Sequence, residues 1–145
     1  MIKIICIGKI KETYLTELIN DYKKRINKYH KLEIIELKDS NRKEEKKEIL
    51  KNIKDNEYII SMCINGTELS TIEFKDTIEN LLTNGNSNIT FIIGGSDGLD
   101  EEIINISNKK ISFSKLTYPH GLFRGILLEQ IYRTFKIING ETYHK

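Results

Sequence analysis

Alanine, valine and tryptophan are missing from this chain of 145 residues, and proline occurs once, at Pro119. With Ala and Val absent, Ile serves helices and strands alike, so hydrophobic periodicity rather than residue type must separate them. The two cysteines, Cys6 and Cys63, sit inside apolar strand-like runs with no CxxC partner. That argues against a disulfide framework or a metal site and fits buried free thiols in a reducing compartment. No apolar run approaches membrane-spanning length and no leader pattern precedes the first strand, so a soluble, cytoplasmic protein is expected. Two ligand motifs are also lacking. A dinucleotide fold needs GxGxxG after its first strand, and Cys6-Ile-Gly-Lys-Ile10 offers a single glycine there. The phosphate loop GxxxxGK[ST] is absent altogether.

What is present fits one globular domain, residues 1–145, with 39% hydrophobic and 30% charged residues. The net charge of +2 conceals an uneven distribution. Met1 to Lys54 carries 15 basic and 9 acidic residues, Asp55 to Asn108 carries 1 and 10, and Lys109 to Lys145 carries 7 and 2. Two basic segments flanking an acidic one suit a polyanion partner if the fold unites them, and otherwise an ordinary mixed surface.

Ile2 to Ile7 is a nearly continuous apolar run, suited to a strand covered on both faces. Tyr14, Leu15, Leu18, Ile19, Tyr22, Ile26 and Tyr29 then recur at helical spacing, with Lys23, Lys24, Arg25 and Lys28 mostly off the stripe. Leu32 to Leu37, Tyr58 to Ile64, Ile89 to Ile93 and Lys110 to Ser114 are the further strands, with Asn65-Gly66 a turn. Arg42 to Lys54 reads as a solvated helix, and Ser70 with Glu73 as a capping box opening another. Asp100, Glu101 and Glu102 suit a helix start. Leu122 to Ile138 is the longest helix and is apolar nearly all round. Such a helix is covered on more than one side, by its own neighbours or by a second copy of the chain. Five strands alternating with five helices predict an α/β fold with a mostly parallel five-stranded sheet and helices on both faces.

The chemistry-bearing residues cluster late. Gly94, Gly95 and Gly98 follow one strand, and the next strand runs into a loop closed by Pro119, before His120 and Arg124 at the mouth of the long helix. With Met62 at a third strand end, these tips can form one ligand pocket on one edge of the sheet.

Ile92-Ile-Gly-Gly-Ser-Asp-Gly-Leu99, Ser112-Phe-Ser-Lys-Leu-Thr-Tyr-Pro-His-Gly-Leu-Phe-Arg124, Glu129-Gln-Ile-Tyr-Arg-Thr-Phe-Lys136 and the ending Tyr143-His-Lys145 resemble the ribosomal RNA large-subunit methyltransferase H family. The opening Ile4-Ile-Cys-Ile-Gly-Lys-Ile-Lys11 fits as well. There are two departures. The charged segment Lys38 to Lys47 looks short, and Gly125 stands where a branched apolar residue is expected, at a cost in helix propensity.

The resemblance implies a SPOUT fold with a C-terminal trefoil knot and a homodimeric, S-adenosylmethionine-dependent enzyme. It implies methylation of N3 of a pseudouridine in large-subunit ribosomal RNA on the assembled ribosome. Carried over, the cofactor contacts fall on Met62, Gly94, Phe113, Ser114, Lys115, Leu116, Thr117 and Tyr118. The methyl donor is already activated, so no metal is required. Arg124, Tyr143 and His144 are expected on the substrate side, with Arg124 and His144 as catalytic candidates and Arg124 otherwise an ion-pair partner of Glu129 or another acid. His120, His144 and solvent are the routes for the N3 proton. Two other readings are a non-catalytic RNA- or ribosome-binding module and a nucleotide-binding enzyme. The second is weakened by Asp97, Asp100, Glu101 and Glu102 beside the glycine loop.

Overall fold

Ten elements alternate along the chain in a computed structural model that describes residues 1–145. They are β1 (Ile2–Ile7), α1 (Thr13–Ile26), β2 (Leu32–Leu37), α2 (Arg42–Lys51), β3 (Tyr58–Glu68), α3 (Thr71–Thr83), β4 (Ile89–Ile93), α4 (Glu101–Ile106), β5 (Lys109–Ser112) and α5 (His120–Ile138). The strands form one wholly parallel sheet in the order β2-β1-β4-β3-β5.

Successive residues of a strand point to opposite faces, which is why the central β1 is apolar throughout. Ile2, Ile4 and Cys6 join the larger core, where α1, α3 and α5 cover the sheet. Ile5 and Ile7 join a smaller core under α2 and α4. Lys3 is the exception in this run. Its buried ammonium donates to the Asn52 carbonyl at 2.7 Å and pairs with Glu57. Burial pushes the Glu57 carboxyl up, but Lys3, the Lys54 amide and the Thr90 hydroxyl outweigh it and hold the group below its ordinary range.

Three local expectations change. Asn65-Gly66 does not turn: β3 continues to Glu68, and its register with β5 jumps so that Met62 and Thr67 both pair with Ile111. Gly66 permits this, because a Cβ there would stand 2.7 Å from the Ile111 carbonyl carbon. Gly125 also has a packing reason. A Cβ would meet Leu18 Cδ2 at 2.6 Å, so glycine lets α5 lie close against α1. The all-round apolar character of α5 is largely satisfied within the chain, since Leu127, Leu128, Ile131 and Phe135 enter the main core and the helix packs along both α1 and α3. Both cysteines are free, and burial pushes the Cys6 thiol up to about 11. No helix is long and apolar enough to cross a membrane.

Candidate active site

Met62 is not a strand end, since β3 runs on to Glu68, but it pairs with Ile93 on one side and Ile111 on the other, which brings the ends of β4 and β5 level with the middle of β3. The loops that start at Gly94 and Phe113 therefore leave the same edge of the sheet, about 10 Å apart across two strand spacings. Met62 itself is 6% exposed, belongs to the main core and is paired on both sides within the sheet.

The glycine loop is built for close approach more than for unusual dihedrals. Of its three glycines only Gly98 has positive φ, at +75°. A Cβ on Gly94 would lie 2.9 Å from the Gly98 carbonyl carbon and 3.0 Å from Leu99 Cγ. One on Gly95 would lie 3.1 Å from Ile7 Cγ2 and 3.3 Å from Glu45 Oε1. The Gly98 amide donates to the Gly95 carbonyl at 3.0 Å, and Arg42 donates to the Leu99 carbonyl at 2.5 Å, which fixes the exit of the loop. Glu45, 5% exposed, sits behind it and accepts the Ser40 amide at 2.8 Å. Burial raises its pKa; the Ser40 amide opposes that, and Asp39 and Asp97 add to it.

Residues 113–118 hold their shape through side chains. Ser112 Oγ donates to the Ser114 carbonyl at 2.8 Å, the Leu116 amide donates to Ser114 Oγ at 3.0 Å, and Ser114 and Tyr118 hydroxyls lie 2.9 Å apart. No backbone group of the loop bonds another backbone group outside the regular elements. Phe113 turns inward against Phe74 and Phe123, at 5.5 and 5.6 Å between ring centroids. Leu116 stands out with 67% of its surface exposed. Lys115 and Thr117 are exposed, and Tyr118 is half-buried on Phe123.

Arg124 lies one turn into α5 and is 2% exposed. It pairs with Glu36 at 2.7 Å and donates to the carbonyls of Ile7 and Gly8 at 3.0 and 2.9 Å, binding the start of α5 to the tip of β1. Its acid is thus Glu36, not Glu129, which pairs with Arg133 at 3.0 Å. Arg124 also lines a cavity of about 360 Å³ with Gly8, Tyr14, Asp39, Gly95 and His120. None of the eight residues expected to hold a cofactor lines it. Tyr14, placed by periodicity in the apolar stripe of α1, is instead 69% exposed.

The tail folds back on α5, where the Tyr143 hydroxyl donates to Glu129 at 3.4 Å. Tyr143 packs on Tyr132 at 5.0 Å and under the Arg133 guanidinium at 4.7 Å, while Arg133 and His144 Nδ1 lie 3.1 Å apart. Burial pushes the Tyr143 phenol up to about 12. Arg133 is nine residues beyond Arg124, about 14 Å along the helix. One chain thus gathers Met62, Gly94, the 113–118 loop and Arg124 at one edge but leaves Tyr143 and His144 apart. Of the basic stripe on α1, Arg25 is engaged by Asp21 at 3.2 Å and by the rings of Tyr22 and Tyr132.

A family profile described as "Predicted SPOUT methyltransferase" matches residues 1–144. The ribosomal RNA large subunit methyltransferase H of Enterococcus faecalis is 48% identical over 157 aligned positions, covering 99% of each chain. That of Clostridium tetani is 50% identical over the same span and coverage. These alignments exceed the 145 residues of this chain, so the relatives carry positions that it lacks. Among solved structures, a probable methylase family protein from Haemophilus influenzae superposes with a TM-score of 0.57 at 9% identity, covering 99% of this chain and 70% of that one. The SpoU methyltransferase AviRb from Streptomyces viridochromogenes gives 0.53 at 9% identity, covering 98% and 62%. Those two likenesses establish the fold, an α/β parallel sheet of the SPOUT type.

Proposed function

The chain belongs to the SPOUT methyltransferase family and, within it, to the ribosomal RNA large subunit methyltransferase H family, and we propose that it methylates N3 of a pseudouridine in large-subunit ribosomal RNA. The observation that carries this reading is the meeting of the Gly94 loop and the 113–118 loop on one sheet edge around Met62. S-adenosylmethionine, when bound, supplies a methyl group on a sulfonium, an electrophile that needs no metal. The residues present suit it. Leu116 offers an uncovered apolar side chain, and the peptide groups of 113–118, unused by other backbone, can hydrogen-bond the edge of an adenine. Gly94 lets the loop close tightly on Gly98 and Leu99, where a side chain would not fit.

In this reading Met62, Gly94, Phe113, Ser114, Lys115, Leu116, Thr117 and Tyr118 hold the cofactor. Arg124 is a positioning residue, locking the tip of β1 to α5 beside the pocket. Tyr143 and His144 serve the site of a second copy in a homodimer, because they lie too far along α5 to reach their own. An imidazole is a common general base near neutral pH, which suits His144 to receive the N3 proton. The trefoil knot, the cytoplasmic setting and action on the assembled ribosome belong to the same proposal.

The test is to incubate the protein and labelled S-adenosylmethionine with ribosomes from cells lacking it, then map modified nucleotides by mass spectrometry. One N3-methylated pseudouridine in the large subunit is expected. A protein that binds those ribosomes but shows no calorimetric signal with S-adenosylmethionine would be a binding module instead.

A further inference from the structure

We propose that the cavity between the tips of β1 and β4 and the first turns of α1 and α5 is the subsite for the target base, an unpaired pyrimidine of RNA, with Tyr14 as its stacking platform. The inference rests on the function proposed above and adds the place of the methyl acceptor.

β4 runs between β1 and β3, so its tip, Gly94-Gly95, forms a ridge with a recess on each side. The expected cofactor residues lie on the ridge and on the flank toward β3 and β5. The cavity lies on the flank toward β1 and reaches the ridge at Gly95. Reactants on the two flanks can come within reacting distance only over the crest of the ridge, which requires that the crest carry no side chain. Gly94 and Gly95 bring no side chain to that crest, and their own backbone packs on Leu99 and on Ile7 and Glu45 respectively.

Tyr14 presents a largely solvent-exposed ring at this cavity. Bases stack on such rings whatever their identity, and unpaired RNA bases are commonly held this way. The polar lining matches a uracil-type ring, which offers two carbonyl oxygens and N–H groups. α1 and α5 have no side-chain cap, whereas α2, α3 and α4 each have one. The first intrahelical bonds run from Thr16 to Glu12 and from Phe123 to Pro119, which leaves the amides ahead of them free to meet carbonyl oxygens. Asp39 supplies an acceptor for a ring N–H. Arg124, with a side chain 3% exposed, has an Nε–H without any acceptor and lines the same space.

The test compares Tyr14→Ala, Tyr14→Trp and wild type in methylation of ribosomes that lack the modification, with S-adenosylmethionine affinity measured by calorimetry. Tyr14→Ala should lower kcat/KM for ribosomes by about tenfold or more, the range of one lost base stack. Its cofactor affinity and thermal midpoint should stay at wild-type values, and Tyr14→Trp should keep most of the activity. Wild-type kcat/KM in Tyr14→Ala would overturn the subsite. So would a parallel loss of cofactor affinity, which would assign the cavity to the methyl donor. A wild-type protein that binds no S-adenosylmethionine would overturn the underlying function as well.

Discussion

The two ends of the sheet are finished differently. At the amino ends of the strands, polar groups are paired at almost every entry. The Leu32 amide donates to Asn27 Oδ1 at 3.0 Å, that of Ile59 to Asn108 Oδ1 at 2.7 Å, and that of Tyr58 to the Asn88 carbonyl at 2.8 Å. The terminal ammonium of Met1 bonds the Ser87 carbonyl at 2.6 Å. At the carboxyl ends stand two uncapped helices, a loop with unused peptide groups, an exposed Leu116 and an open cavity. Saturated hydrogen bonding favours stability, while groups left without partners are available for a ligand. On the function proposed above, the difference separates the part of the molecule that holds the fold from the part that binds.

Arg124 is the one residue that joins both roles, and its loss should have the largest effect. Arg124→Ala leaves Glu36 with only the Ile10 amide as a donor and takes the donor from the Ile7 and Gly8 carbonyls. It should cost about 2–4 kcal/mol in chemical denaturation, the low part of the buried-pair range because Glu36 reaches solvent, and should abolish methylation. Retained activity in a folded variant would remove Arg124 from the site. Asn108→Ala sharpens the contrast. Losing the bond to the Ile59 amide should cost about 1–2 kcal/mol of stability and leave cofactor affinity unchanged. Leu116→Ala should do the reverse, weakening S-adenosylmethionine binding about tenfold with no shift of the unfolding midpoint, as expected for an exposed apolar group covered only by ligand.

The smallest effects are in pH dependence, and the two ends should differ in sign. At the amino end His30 stacks on Phe135 at 5.7 Å, and its Nε2 is buried with no partner. Burial, with the nearby terminal ammonium, lowers its pKa below the ordinary 6.5. The unfolded chain then takes up a proton more readily, so this contribution is lost as pH falls below about 6.5. At the carboxyl end, Glu45 is raised above the ordinary 4.5, so the folded state holds the proton better. Its contribution is present at low pH and lost as pH rises through the folded pKa. His30→Phe should flatten the acid side of the stability profile, and Glu45→Gln the side above 4.5; unchanged profiles would show that neither group titrates on folding.

Much of this layout is readable in the residues alone. The six-residue apolar run of β1 needs cover on both faces and has it. Ser70 and Glu73 form the reciprocal cap that their spacing implies, at 3.1 and 2.8 Å. What periodicity misses depends on strand order, which is a property of the whole chain. Glu36 lies 88 residues from Arg124 and reaches it only because β2 flanks β1. Gly66 reads as a turn until β5 is laid beside β3, and Gly125 reads as a weak helix position until Leu18 is seen against it. Glycines after a strand mark a turn as readily as a pocket, so the residues expected to hold the cofactor follow from the motif resemblance alone.

The doubled pairing of β3 with β5 limits how this protein can associate. β5 is a rim strand of four residues that begins with two lysines, and its neighbour bulges beside it at Gly66. A short, charged, irregular rim is a poor template for another polypeptide, so edge-on growth of the sheet toward fibres or swapped assemblies is blocked there. Of the two rims, β2 and β5, it is the β5 rim that is closed in this way, and contacts on that side are left to side chains rather than to backbone pairing.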